Sequence, residues 1–185
     1  MLNLFGKMPR LLGRSRKYVS IKMFKKKITI LMVCTANICR SPMAQGVMQK
    51  IIQERGLKRR IKVDSAGTHV SRAGTRPDIR ARQVASGRGV DISRFKSRML
   101  EASDYERYDY IVAMDRENMH RLVQECPPEN KHKLSSIMDY SAVADVPEVP
   151  DPYFGNLTGF ERVIELLEPA CVGLVNSILE RHQVT

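Results

Sequence analysis

The chain has 185 residues, 43% hydrophobic and 28% charged, which suits one soluble domain with a core of its own. It contains no run of 18 apolar residues, which argues against a membrane-spanning helix. The formal charge of +11 points towards nucleic acid, but residues 1–27 carry nine Lys/Arg and no acid, leaving 22 basic residues against 20 acidic ones. A basic face for nucleic acid is therefore not expected in the body of the protein.

Residues 1–26 read as a basic, disordered extension ahead of a single domain over 27–185. They lack the apolar stretch of a secretory signal, and Met23 is a candidate natural start. The first strand is the apolar run Ile28 to Val33. It runs into Cys34-Thr35-Ala36-Asn37-Ile38-Cys39-Arg40-Ser41-Pro42, a short loop followed by a Ser-Pro helix start. Ser41 is expected at the N-cap and Pro42 at the first helical position, whose N–H has no partner in any case. Met43, Ala44, Val47, Met48, Ile51 and Ile52 recur at helical spacing up to Gly56, a candidate C-cap.

A second strand is expected over Ile61–Ser65. Pro77 opens a helix carrying Ile79, Ala81, Val84 and Ala85, closed by Gly87 and Gly89. Tyr108 to Met114 reads as a buried strand, and Asp115 as the cap of a helix with Met119, Leu122 and Val123 on one face. A short strand follows over Lys133–Ile137. The final helix shows a Thr158-x-x-Glu161 capping box, and Pro169 is expected to kink or split it. Alternating strands and helices predict an α/β fold: a single-domain parallel sheet of about four strands with helices on both faces. Sites in such folds lie at the carboxyl ends of strands, where Cys34 and Asp115 fall.

The loop after the first strand has the chemistry of an oxyanion cradle. Backbone N–H groups of Thr35, Ala36, Asn37, Ile38 and Cys39, helped by the following helix N-terminus, can converge on a phosphate. Arg40 supplies a planar fork for two of its oxygens. The same positive field favours a thiolate at Cys34, which can attack bound phosphorus and form a phosphocysteine. Asn37 tolerates a left-handed backbone and braces the loop, and Ser41 can bond the sulfur. Leaving-group protonation needs an acid, and Asp151, in Asp151-Pro152-Tyr153-Phe154-Gly155, is the candidate beside two aromatic rings. Cys39 reads either as a packing residue or as a thiol that captures oxidised Cys34 in a disulfide. The four cysteines match no zinc spacing, no CxxC occurs, and the histidines form no ligand pair, so no metal is expected. A thiol in the key loop fits a reducing, cytoplasmic compartment.

These residues resemble the low-molecular-weight protein tyrosine phosphatase family from about Ile28 to the C-terminus, in its bacterial form. The likeness rests on Cys34, Asn37, Cys39, Arg40, Ser41 and Pro42 in the loop, and on the segments Asp64–Thr68, Pro77–Arg80, Tyr108–Asp115 and Asp151–Tyr153. The resemblance implies hydrolysis of phosphotyrosine with Cys34 as nucleophile, Arg40 as phosphate clamp and Asp151 as acid and base. It implies that Asn37, Ser41 and Asp115 support the loop, that Tyr153 lines the cleft, and that no metal or organic cofactor is needed. Phosphotyrosine proteins are the implied partners, among them the autophosphorylating tyrosine kinases of polysaccharide export.

Three positions depart from the family pattern. Ala36 replaces a usual Gly and requires negative φ there. Ser71 replaces an aromatic that sandwiches the substrate ring, and Phe95 replaces a His that helps brace the loop, so that Asn37 is expected to be held less firmly. The competing readings are an arsenate reductase of the same fold, which needs two further cysteines close together, and a non-catalytic phosphate-binding module, which needs neither Cys34 nor Asp151. A nucleic-acid binder would rest on the basic extension alone.

Overall fold

A computed structural model describes residues 27–143 and 145–183; the basic extension therefore lies outside the described residues. The first strand, β1 (Ile28–Cys34), is an uninterrupted apolar run because it is sandwiched on both faces. Ile30 and Met32 point into one core, Leu31 and Val33 into the other. β2 (Ile61–Gly67), β3 (Tyr110–Ala113) and β4 (Leu134–Ser136) complete a parallel sheet in the order β2-β1-β3-β4.

Helices α1 (Arg40–Glu54), α2 (Ile79–Gly87) and α5 (Leu157–His182) cover the first face. Helices α3 (Ala102–Arg107) and α4 (Arg116–Glu125) cover the second. Each fully buried Ile, Leu or Met in these two layers stabilises the fold by about 1.5–3 kcal/mol. The chain steps from β1 to one side for β2 and to the other for β3. The segments leaving β1 and β3 therefore diverge at the carboxyl edge and open a crevice between them. Both the Cys34 loop and Asp115 sit there.

Most expected elements are present, with corrections. α1 begins at Arg40 with Cys39 in the N-cap place, so Ser41 and Pro42 are its second and third residues. Proline is tolerated at the third position because the N–H groups of a first helical turn have no intrahelical acceptor. The last helix is capped by Asn156, whose side chain accepts from Gly159 N, and not by a Thr158–Glu161 box. Asn156 takes the role earlier, and Leu157 then packs against the core. Pro169 does not split α5, which runs unbroken through it. Buried Leu166, Leu167, Ala170 and Cys171 flank it and hold the helix despite one missing hydrogen bond.

Ile79 and Val123, assigned to apolar faces, are exposed (69% and 40%); Ile79 lies on the side of α2 turned away from the buried Ala81, Val84 and Ala85. The six-residue α3 is not legible from periodicity, because among its residues only Tyr105 is a large apolar contact. No helix of the described residues is long and apolar enough to cross a membrane.

Candidate active site

The loop Thr35–Cys39 turns its carbonyls outward. The oxygens of Cys34 and Thr35 accept from the backbone N–H groups of Thr68 and His69 (2.9 and 2.8 Å), and that of Ile38 accepts from Asp78 N (2.8 Å). The N–H groups of Ala36 to Arg40 find no acceptor among the described residues, the arrangement an oxyanion demands. The approach of β2 to the loop needs Gly67, since a Cβ there would lie 2.6 Å from the Thr35 oxygen.

Asn37 adopts φ 54°, the left-handed conformation that lets the loop turn, while Ala36 keeps negative φ and carries no strain. Asn37 is fully engaged: Nδ2 donates to Ser41 Oγ and Ser65 Oγ, both at 2.9 Å, and Oδ1 accepts from Arg98 N at 2.9 Å. Ser65 Oγ in turn donates to Gln45 Oε1 at 2.6 Å. The expectation that Phe95 leaves Asn37 loosely held is therefore wrong. Ser65, Gln45 and the Arg98 backbone hold it, and Phe95 packs against the core instead.

Cys34 is buried at the loop's base with its Sγ 3.0 Å from Ser41 Oγ. Asn37 donates into that oxygen, so the one Ser41 hydroxyl proton is left for the sulfur at 3.0 Å or for the Ala66 carbonyl at the longer 3.4 Å. Arg40 is buried, 2% exposed, at the first position of α1. Its Nη1 pairs with Asp115 Oδ2 and donates to the Val149 carbonyl at 3.2 Å. Its Nη2 donates to Thr35 Oγ1 at 3.2 Å and pairs with Asp151 Oδ2 at 2.7 Å. Nε, although buried, has no partner among the described residues. Burial opposes the guanidinium charge, but Cys34, Asp151 and Asp115 outweigh it, and the net shift of the Arg40 pKa is upward. Arg40 thus remains a cation under all working conditions.

Asp115 serves twice: Oδ1 caps α4 through Asn118 N at 2.6 Å while Oδ2 holds Arg40. Asp151 is more loosely set, 47% exposed, with Oδ1 accepting from Tyr153 N at 3.0 Å. Tyr153 is half-exposed beside it and meets Phe154 edge to face, ring centroids 5.0 Å apart; Phe154 itself is 97% exposed. Cys39 is buried, and desolvation, reinforced by the negative charges of Asp78, Cys34 and Asp151, pushes its thiol well above the usual range, so it stays protonated near neutral pH.

The structure thus joins Cys34, Thr35, Asn37, Arg40, Ser41, Asp115 and Asp151 directly. Ala36, Ile38 and Cys39 contribute backbone, and among the described residues Phe154 reaches no other ring than Tyr153. Sequence reasoning missed Gln45, Ser65, Arg98, Asn118 and Val149. Asn118, buried and donating to Thr35 Oγ1 at 3.1 Å, carried a signal in its place one turn beyond Asp115. Among the described residues no cluster of His, Cys, Asp or Glu could hold a metal ion.

A cysteine at the floor of a loop rich in free N–H groups, a buried arginine beside it and two carboxylates thus meet at the switch point of a parallel sheet. Residues 29–184 match the model of the low molecular weight phosphotyrosine protein phosphatase family. The low molecular weight protein-tyrosine-phosphatase YfkJ of Bacillus subtilis is 34% identical over 158 residues, covering 85% of this chain and 99% of its own. The low molecular weight phosphotyrosine protein phosphatase of Schizosaccharomyces pombe is 36% identical over 136 residues, covering 73% and 86%. The crystal structure of an Entamoeba histolytica protein tyrosine phosphatase superposes with a TM-score of 0.82 at 40% identity, covering 84% of this chain and 99% of that one. The chain belongs to the low molecular weight phosphotyrosine protein phosphatase family.

Proposed function

We propose that this protein hydrolyses phosphotyrosine through a phosphocysteine at Cys34. The observation that carries the reading is the state of Arg40. Its Nη1 edge is fixed by Asp115 and Val149, whereas Nε is unpartnered and Nη2 meets only Thr35 and the half-exposed Asp151. The Nε–Nη2 edge is the fork that two oxygens of a phosphate dianion take, and a dianion competes successfully with one exposed carboxylate. Its arrival releases Asp151, which, freed from the guanidinium and exposed to solvent, takes up a proton from water and turns towards the leaving oxygen.

The Cys34 thiolate then attacks phosphorus in line. The P–O bond breaks, its electron pair passes to the tyrosine oxygen, and Asp151 gives that oxygen its proton. In the second step Asp151 takes a proton from water as the water attacks phosphorus. The S–P bond breaks, and the sulfur leaves as a thiolate met by the Ser41 hydroxyl. Phosphate departs with both groups restored. The backbone N–H groups of the loop stabilise the equatorial oxygens throughout.

Cys126 and Cys171 lie in opposite core layers, on either side of the sheet, which favours hydrolysis over a thiol-relay arsenate reduction. The retained acid loop favours an enzyme over a binding module. Four free cysteines support a reducing, cytoplasmic setting. The partners are phosphotyrosine proteins, with an autophosphorylating tyrosine kinase of polysaccharide export as the candidate that family resemblance suggests.

The test is turnover of p-nitrophenyl phosphate and of a phosphotyrosine peptide beside a phosphoserine peptide. Wild type is expected to cleave the first two, and Cys34→Ser to lose turnover while still binding phosphate. A Cys34→Ser variant with the wild-type rate overturns the nucleophile assignment.

A further inference from the structure

The Pro77–Arg80 segment is the one sequence signature to which the chemistry above gives no role, and its side chains reach both halves of the site. Asp78 caps α2 and grips Arg80 at three points. Oδ1 accepts from Arg80 N at 2.8 Å and from Nε at 3.0 Å, and Oδ2 accepts from Nη2 at 2.8 Å. So fixed, the guanidinium lies over the Phe160 ring, 4.6 Å from its centroid. From there Nη1 donates to the Gly155 carbonyl at 2.7 Å and Nη2 to the Tyr153 carbonyl at 3.0 Å. Both carbonyls belong to the loop that carries Asp151. On the other side, Asp78 N donates to Ile38 O in the phosphate loop at 2.8 Å. A continuous line of hydrogen bonds therefore runs from the cradle through Asp78 and Arg80 to the acid loop.

Few other tethers hold that loop. Its remaining hydrogen bonds among the described residues are local, Tyr153 N to Asp151 Oδ1 and Gly155 N to the Pro152 carbonyl, apart from the Asp151–Arg40 pair. The mechanism breaks the Asp151–Arg40 pair when Arg40 turns to the phosphate. At that moment Arg80 supplies the hydrogen bonds that keep the loop in register with the cradle.

We infer that Arg80 is a positioning residue for the reaction: braced by Asp78, it locks the Asp151 loop onto the phosphate loop so that the carboxyl stays over the leaving oxygen. The inference rests on the reading of Asp151 as the acid. Loss of Arg80 should injure protonation of the leaving group and spare capture of the phosphate, because Arg80 makes no contact with the cradle's donors. A residue that merely capped α2 would affect all substrates alike.

The experiment measures kcat/KM over a series of aryl phosphates, from 2,4-dinitrophenyl phosphate, which barely needs an acid, to phenyl phosphate, which does. Inhibition by inorganic phosphate and circular dichroism are recorded beside it. For Arg80→Gln the expected loss is about 10-fold on phenyl phosphate and within about 2-fold on the dinitrophenyl ester, with phosphate inhibition little changed. Arg80→Lys, able to reach one carbonyl of the two, should fall between, and gives the same readout if the glutamine variant does not fold. Asp151→Asn is the control, expected to show the same slope with a larger drop, roughly 100-fold on phenyl phosphate. A steep Asp151→Asn profile with a uniform loss, or none, across the series for the Arg80 variants overturns the role of Arg80. A flat Asp151→Asn profile overturns the acid assignment instead.

Discussion

Arg40 meets two carboxylates, and the two differ in kind. Asp115 is 15% exposed and tied to the start of α4, whereas Asp151 is 47% exposed on a loop. The first is a fixed support that aims the guanidinium; the second, on the proposed mechanism, is the exchangeable partner that substrate displaces. The position calls for a planar fork, since an ammonium cannot satisfy Asp115 and Val149 on one edge and two phosphate oxygens on another. Arg40→Lys is accordingly expected to lower kcat/KM for aryl phosphates by roughly 100- to 1,000-fold, the scale of losing one preorganised transition-state donor. Steady-state kinetics check it, and a loss under about 3-fold would place the phosphate clamp elsewhere. Cys34, Asn37, Ser41 and Asp151 were legible as single residues because each has a chemistry that its local sequence advertises. Gln45, Ser65 and the Arg98 backbone were not, because a serine or glutamine on an amphipathic element looks the same whether it faces solvent or a buried asparagine.

Helix α5 shows how an element can be read correctly and its constraint overlooked. Its apolar stripe from Phe160 to Ile178 is plain in the sequence and is buried as the spacing predicts. Gly173 carries no such signal, yet a Cβ there would stand 1.9 Å from the Tyr140 carbonyl oxygen, in the short 3₁₀ segment Ile137–Tyr140. Backbone on both sides of the contact leaves nothing flexible to move. Gly173→Ala is therefore expected to destabilise the protein by about 1–3 kcal/mol, although alanine ordinarily favours a helix over glycine. Urea unfolding is the measurement, and a neutral or stabilising result would show that α5 can shift away from Tyr140. The start of α5 was misplaced by the Thr158–Glu161 pattern for a related reason: two capping signals compete there, and Leu157 packing against the core decides for Asn156.

Across the molecule, three buried thiols and three buried phenols share one direction of shift. Burial raises the thiols of Cys39, Cys126 and Cys171 and the phenols of Tyr105 and Tyr110, and it pushes Tyr108 up to about 12, with Asp64 adding to the effect. A folded-state pKa above the unfolded one contributes stability that is complete below the unfolded value and fades as pH rises towards the folded one. Unfolded thiols titrate near about 8.5 and phenols near about 10. Stability should thus be unaffected by these groups at pH 7 and fall progressively from about pH 8.5 upward. Thermal unfolding between pH 7 and 11 tests this, and an unchanged Tm at the alkaline end would contradict the burial of these side chains.

The order of strands and helices, the loop after β1 and its candidate nucleophile follow from local information: apolar period, helix punctuation, and a thiol placed between a strand and a helix N-terminus. Which residues meet does not. Arg40 lies 75 positions from Asp115 and 111 from Asp151, and Arg80 reaches carbonyls 73 and 75 residues away. Those meetings are set by parallel register and by crossovers that deliver β1 and β3 side by side. The pairing of distant strands is a property of the closed core and leaves no mark on the spacing of neighbouring residues.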